Sequence, residues 1–139
     1  SKYYHYKKDW ENAANELEKA IPSQFAIRSW HYQLGFYYSK LKRWHEAEKN
    51  LAIATNKDNT PYRWSYRHVI ALENIDKKQK AKEIIKVISI KNGNDAKKHF
   101  ESGMLLMGFS RFSAAEEAFR FAAELDDSNS LYMINLLNV

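Results

Sequence analysis

Residues 30–54 decide the fold of this chain, and they read WHYQLGFYYSKLKRWHEAEKNLAIA. Apolar and aromatic residues recur three or four positions apart, first over residues 30–41 and then over residues 44–54. That spacing places them on one face of an α-helix in each run. Only Lys42 and Arg43 separate the two runs, and so short a connection makes the two helices antiparallel. The stretch therefore predicts a helical hairpin.

The same pattern returns along the chain with a fixed step of 34. Alanines that precede a large apolar residue by four positions follow this step, at Ala13, Ala47, Ala81 and Ala115. Trp10, Trp44 and Phe112 occupy a second column with the same step. A fixed period of this length is typical of repeat architectures in which one hairpin packs on the next. We therefore predict an all-α fold, an α-solenoid of antiparallel helix hairpins with a 34-residue period.

The period also predicts where helices and repeats begin and end. We expect helices at 1–7, 9–21, 26–41, 44–56, 61–75, 78–91, 96–109, 112–125 and 129–138. The breaks between repeats carry turn and N-cap residues, in Pro22-Ser23, Asp58-Asn59-Thr60-Pro61, Asn92-Gly93-Asn94-Asp95 and Asp126-Asp127-Ser128-Asn129. This gives a partial repeat 1–27, complete repeats 28–61, 62–95 and 96–129, and a terminal helix 130–139. We expect this repeat domain to be a piece of a longer protein.

The repeat resembles the tetratricopeptide (TPR) pattern W-x2-L-G-x2-Y, then A-x3-F, then Pro. The second unit matches it with His31, Leu34, Gly35 and Tyr38, followed by Ala47 and Leu51. The third unit departs most, because Val69 stands in the glycine column and Lys78 in an aromatic one. The resemblance covers nearly the whole chain. It implies a non-catalytic binding or scaffold module that mediates protein–protein interaction or assembly within a larger protein.

The composition excludes several other classes of protein. The 139 residues include no Cys, four Gly and two Pro, which excludes a disulfide scaffold and disfavours a loop-rich β fold. The apolar runs are far shorter than the roughly 18 to 20 residues of a membrane span. The net charge of +5 combines a lysine-rich segment over residues 77–98 with an acidic end, so a nucleic-acid partner is disfavoured. We expect a cytoplasmic protein.

No residue pattern of an active site is present in the sequence. His31 and His99 lie two repeats apart in one column, where half-buried packing is the favoured interpretation. No two histidines have the i, i+4 spacing of a helical zinc site. We therefore predict no catalytic residue, no metal site and no cofactor. Trp10 and Trp44 are interpreted as packing residues, and replacing either with Ala should cost about 3–5 kcal/mol.

The resemblance implies that the first helix of each unit lines a concave binding groove. The residues it places there are Tyr32, Phe36, Lys40, Arg63, Tyr66, Arg67, Lys97, Phe100 and Met104. Tyr32, Tyr66 and Phe100 form a ladder with a step of 34. From the sequence, this ladder faces either a ligand or the core between adjacent helices, and both alternatives stay open.

Aromatic side chains beside cations suit more than one partner. The first hypothesis is a protein or peptide partner, another domain of the parent chain, or a second copy in a homo-oligomer. The second is an anionic glycan polymer, stacked on the rings and paired with the cations. The Trp-, Lys-, Asn- and Ile-rich repeats are similar to helical segments of bacterial capsule or teichoic-acid-type polymerases. That similarity implies an accessory domain of a glycosyltransferase in polysaccharide biosynthesis.

Overall fold

The computed structural model describes the backbone of residues 2–20 and 27–138 and the side chains of 7–20 and 27–138. This part of the chain is helical, with no β-strand among the residues described. The helices are α1 (Lys2–Ala20), α2 (Arg28–Lys40), α3 (Trp44–Ala54), α4 (Tyr62–Asn74), α5 (Lys78–Asn92), α6 (Ala96–Gly108), α7 (Phe112–Leu125) and α8 (Ser130–Leu137). The predicted all-α fold is confirmed.

The chain divides into two compact units, and the division falls within α5. The first unit is Ser1–Ala81 and the second is Lys82–Val139. In the first unit, α2 packs on α3, α3 on α4, and α1 on α2. In the second unit, α6 packs on α7, and α7 packs on α8. The repeat boundaries given above stay a prediction.

Two tight hairpins share the same internal packing. A Cβ added at Gly35 on α2 would lie 2.5 Å from Leu51 Cγ on α3. A Cβ added at Gly103 on α6 would lie 2.5 Å from Phe119 Cε1 on α7. Glycine is therefore needed at both positions because a large side chain of the second helix fills the space beside the first.

Three turns inside hairpins have the same backbone conformation, each one repeat period after the last. Lys42, Asp76 and Ser110 have φ values of 59°, 64° and 58°, in the left-handed region. After α2, the Lys42 amide donates to the Ser39 carbonyl and the Arg43 amide donates to the Tyr38 carbonyl. This pair of bonds is the Schellman motif that ends many helices. The other two turns make the equivalent bonds.

The predicted break between helices 1–7 and 9–21 is wrong, because α1 continues without interruption from Lys2 to Ala20. The period placed a turn at Lys8, one step before Lys42. Residues 7–9 are Lys, Lys and Asp, with neither Gly nor Pro among them, so nothing local stops the helical hydrogen-bond ladder. The predicted turn at Pro22-Ser23 lies outside the described residues.

Two of the other breaks contain the side-chain caps expected of them, and the break before α4 does not. The Asp95 carboxylate accepts from the Lys98 amide at 3.1 Å and so caps α6. The Asn129 side chain accepts from the Leu131 amide at 3.0 Å and caps α8. Pro61 stands immediately before α4, and its carbonyl accepts from the Trp64 amide at 3.0 Å.

Trp10 and Trp44 pack where the sequence interpretation placed them. Both are partly buried against the core of the first unit, which includes Leu34, Tyr38 and Leu51. Burial, followed by a hydrogen bond to Glu18, raises the pKa of the Tyr38 hydroxyl. The Tyr38 hydroxyl therefore stays protonated and can donate to that carboxylate.

Candidate binding surface

The first unit places the predicted groove residues on two adjacent helices. Tyr32, Phe36 and Lys40 follow one another at i, i+4 and i+8 on α2, and Arg63 and Arg67 at i and i+4 on α4. Residues at these spacings share one face of a helix. Because α2 and α4 contact each other, the two rows belong to one local surface.

Phe36 lies at the centre of this surface. The Lys40 Nζ lies 5.3 Å from the centroid of the Phe36 ring, and the Arg67 guanidinium carbon lies 4.7 Å from it. Both distances are those of cation–π interactions. Trp10 contacts the same ring edge-on, with the centroids 5.5 Å apart. The half-buried ring of Phe36 therefore holds two cationic groups beside it.

Tyr32 connects this group to a second aromatic contact. Its ring stacks on Trp64, with centroids 4.6 Å apart and an interplanar angle of 9°. Its hydroxyl accepts a hydrogen bond from Arg67 Nε at 3.2 Å. The Arg28 guanidinium carbon lies 5.9 Å from the centroid of the Trp64 ring. The contacts with Tyr32 and Phe36 hold Arg67 in one orientation. We call Tyr32, Phe36, Lys40, Arg63 and Arg67 the cation–aromatic surface.

The electrostatic character of the surface follows from its two helices. The sequence of α2 contains Arg28 and Lys40 and no acidic residue. The sequence of α4 contains Arg63 and Arg67, with Glu73 near its C-terminal end. The surface is therefore basic over most of its length, and an anionic group is favoured there.

Tyr66 does not lie on this surface, because its side chain is only 2% exposed. For this member of the aromatic ladder, the core alternative holds. In the second unit the half-buried Phe100 packs against Phe119 and Tyr132, with centroid distances of 5.7 and 5.0 Å. Phe100 therefore serves the packing of α6 on α7 and α8.

The remaining predicted groove residues lie on α6. Lys97 is exposed, and the Met104 side chain is 49% exposed. They belong to the second unit. Their membership of a groove stays a prediction.

The two histidines considered in the sequence are held by hydrogen bonds. His31 Nδ1 and Asn50 Oδ1 lie 3.1 Å apart. His99 Nε2 donates to the Gly93 carbonyl at 2.8 Å, and the His99 ring faces Phe121 at a centroid distance of 5.3 Å. Within residues 2–20 and 27–138, no three His, Cys, Asp or Glu side chains are grouped so that they could hold a metal ion.

The sequence interpretation missed a third histidine, His68, which is buried between α3 and α4. The Thr55 hydroxyl donates to the Leu51 carbonyl at 2.7 Å, so it accepts from His68 Nδ1 at 3.2 Å. His68 Nε2 then faces the Glu48 carboxylate at 3.6 Å. Burial lowers the pKa of His68, against the opposing effect of Glu48. The burial of His68 could have been predicted from the sequence, because His68 lies one repeat period after Leu34 in the same column.

One property of the described helices bears on membranes. Across the described ranges, no helix has both the length and the apolar character needed to cross a bilayer.

Comparison with known proteins gives similarity of structure rather than of sequence. No protein-family model matches the chain, and no curated protein matches it. The solved structure of MamA residues 41 to the end, from Desulfovibrio magneticus RS-1, matches with a TM-score of 0.55 at 18% identity, over 96% of this chain and 79% of that one. A crystal structure of MamA has a TM-score of 0.59 at 18% identity, over 95% and 77%.

A third match is YrrB, described as a TPR protein with an unusual peptide-binding site. Its TM-score is 0.56 at 19% identity, over 93% of this chain and 66% of YrrB. Structural similarity at identities this low supports a common fold, and function has to be argued from the site itself. The described helices, the repeat period and these structural matches agree, and the chain has the fold of tetratricopeptide repeat proteins.

Proposed function

We propose that the first unit is a non-catalytic binding module that holds an acidic segment of a partner protein on the cation–aromatic surface. The observation that carries this proposal is the placement of Lys40 and Arg67 over the Phe36 ring. Both cations are positioned before a partner arrives. Pre-organised side chains lose less conformational entropy when they bind.

The chemistry of the surface favours a peptide that combines carboxylates with apolar side chains. Arg63 is exposed and offers a planar guanidinium group, which binds carboxylates through paired hydrogen bonds. The Phe36 ring is half-buried, so part of it remains available for an apolar contact. Acidic and apolar residues in one segment would satisfy both features. YrrB, which shares the fold, is described as having a peptide-binding site, and this is consistent with the proposal.

An anionic glycan polymer is the competing occupant. It would pair with the same cations, and it corresponds to the polymerase-type resemblance of the sequence. Phe36 favours the peptide, because an apolar side chain can contact the part of the ring that Trp10 and the two cations leave exposed, whereas a sugar needs an open ring face to stack on. We propose that the parent protein is a cytoplasmic scaffold. Within it, the acidic segment that this unit binds would belong to another domain or to a second copy of the chain.

The test uses fluorescence polarisation with a labelled peptide of alternating Glu and Leu and a matched peptide in which Gln replaces Glu. We expect the Glu peptide to bind and to lose at least about 10-fold in affinity when salt rises from about 0.05 to 0.5 M, because screening weakens ion pairing. The Gln peptide should bind at least about 10-fold more weakly at low salt.

Variants locate the binding to the surface. Lys40→Ala and Arg63→Ala should each weaken the Glu peptide by about 3- to 10-fold, while Lys49→Ala, on the exposed part of α3, should leave its affinity unchanged. Equal affinity for the two peptides would contradict the proposal. Binding of a purified phosphate-linked glycan without binding of the Glu peptide would replace it with the glycan alternative.

A further inference from the structure

A pocket in the second unit combines exposed apolar side chains with one carboxylate. It lies where α5 and α7 end, and its volume is about 360 Å³. The residues that matter for its chemistry are Ile90, Gly93, His99, Phe121, Glu124 and Leu125. It is open to solvent and lies wholly within Lys82–Val139.

Two of its apolar side chains, Ile90 and Leu125, are not required by the packing of the helices. Ile90 is 68% exposed, Leu125 is 43% exposed and Phe121 is 37% exposed. One period earlier, Asn56 and Lys91 occupy the columns of Ile90 and Leu125. The repeat therefore accepts polar residues at these positions. Exposed apolar side chains that the fold does not need, beside the exposed part of Phe121, indicate an interaction site.

The inner wall of the pocket is fixed in position. His99 is buried, and its Nε2 donates to the Gly93 carbonyl at 2.8 Å. Gly93 has a φ of 52°, a left-handed conformation that favours glycine. The Asp95 cap on the Lys98 amide holds the other end of the same loop. A wall of this kind needs little reordering when a ligand enters.

The charge within the lining of the pocket favours a cationic ligand. Glu124 is the carboxylate in its lining. The C-terminal ends of α5 and α7 also meet there, at Asn92 and Leu125, and helix C-termini carry partial negative charge. Lys86 and Lys91 lie on α5 outside the lining. A ligand with an apolar group beside a positive charge therefore matches the lining better than an anionic one.

We infer that this pocket binds a large apolar side chain that stands next to Lys or Arg in a segment of a partner protein. The apolar side chain contacts Ile90, Phe121 and Leu125, and the adjacent cation pairs with Glu124. This second site has the opposite charge preference to the cation–aromatic surface. It would give one chain contacts with two chemically different segments.

Nuclear magnetic resonance with two dipeptides tests the inference on the whole chain. The probes are N-acetyl-Phe-Lys-amide and N-acetyl-Phe-Glu-amide, which differ only in the side chain that carries the charge. We expect the Lys dipeptide to shift the methyl resonances of Ile90 and Leu125 with millimolar affinity. The Glu dipeptide should bind at least about 3-fold more weakly, the size of effect expected for a solvent-exposed ion pair.

Three variants complete the test. Ile90→Asn changes a side chain that is 68% exposed, so it should keep the fold and weaken the Lys dipeptide by about 3-fold or more. Glu124→Gln should remove the preference for Lys over Glu. Glu101→Gln, an exposed residue of α6 outside the pocket, should change nothing. Equal binding of both dipeptides to the wild-type chain, or no shift of the Ile90 and Leu125 methyl groups, would overturn the inference.

Discussion

The hairpins α2–α3 and α6–α7 have the same interior and different surfaces. In each, a glycine of the first helix faces a large residue of the second, Gly35 with Leu51 and Gly103 with Phe119. On the exposed faces the correspondence is lost. Met104 stands in the column of Phe36, two periods later. The repeat therefore preserves the packing of its helices, while each unit carries its own surface chemistry.

The loss of correspondence also removes the net positive charge of these columns. Glu101 on α6 occupies the column of Arg67 on α4, and Gly108 occupies that of Lys40. Two of the three cations of the cation–aromatic surface are therefore missing at the equivalent positions of the second unit. A function that depends on this surface should respond to changes in the first unit only, whereas stability should respond to changes in both.

The largest expected effect tests whether the two interiors are equivalent. Phe119 and Leu51 are each at most 1% exposed. Phe119→Ala and Leu51→Ala should each lower the free energy of unfolding by about 3–5 kcal/mol, because each removes buried apolar surface and leaves a cavity. Urea unfolding measures both. A loss below about 1 kcal/mol in either variant would show that the two hairpins are not packed alike.

The close approach of the helices gives the next largest effect. Gly35→Ala and Gly103→Ala place a Cβ 2.5 Å from Leu51 Cγ and Phe119 Cε1, so each should destabilise by about 1–3 kcal/mol through overpacking. Gly108→Ala is the matched control, because a Cβ there meets no heavy atom within 4 Å. Thermal and urea unfolding should show the first two variants destabilised and the control unchanged or slightly stabilised. Three equal effects would contradict the packing described.

The hairpin turns should respond in the opposite direction. Lys42, Asp76 and Ser110 adopt positive φ without being glycine. Lys42→Gly and Ser110→Gly should each stabilise the chain by about 0.5–1 kcal/mol, because glycine adopts this conformation without steric strain. Lys57→Gly, at an exposed position between α3 and α4, serves as a control for glycine's general effect on the unfolded chain. Destabilisation in both turn variants would contradict the assigned conformation.

His68 distinguishes the interior of the first unit by its response to pH. Burial lowers the pKa of His68 below the ordinary 6.5, so the unfolded chain binds a proton at this histidine more readily than the folded chain does. The contribution of His68 to the free energy of unfolding therefore falls as the pH is lowered through 6.5. His68→Leu, which copies Leu34, should gain stability relative to wild type as the pH falls from 8 to 5. His45→Gln, at an exposed position, is the control. Parallel pH profiles for His68→Leu and wild type would refute this.

Most of the fold could be predicted from the sequence, because the period is carried by residues that the helices need. Seven of the helices, α2 to α8, begin and end within two residues of their predicted bounds. The exception is α1, where the period alone placed a turn that residues 7–9 do not favour. Periodicity reports packing that is repeated, and it says nothing about a unit that departs from it.

The candidate site was less predictable, because periodicity reports only the packing that is repeated. The repeat columns predicted both Phe36 and Tyr66 to line the groove. In the structure, Phe36 is half-buried beside two cations, whereas Tyr66 is in the core. The orientation of Arg67 depends on Tyr32 and Phe36, which lie on a different helix and are distant in sequence. His68 and the apolar pocket around Phe121 also depend on contacts between helices, which residue spacing does not specify.

Charge reversal at one repeat column tests most directly whether function belongs to the first unit. Arg63 on α4 and Lys97 on α6 occupy the same column in successive repeats, and both are exposed. Arg63→Glu should weaken the alternating Glu and Leu peptide by at least about 10-fold, because a favourable ion pair becomes a repulsive one. Lys97→Glu should change that affinity by less than about 2-fold. Equal losses in the two variants, or a larger loss in Lys97→Glu, would contradict the assignment of binding to the cation–aromatic surface.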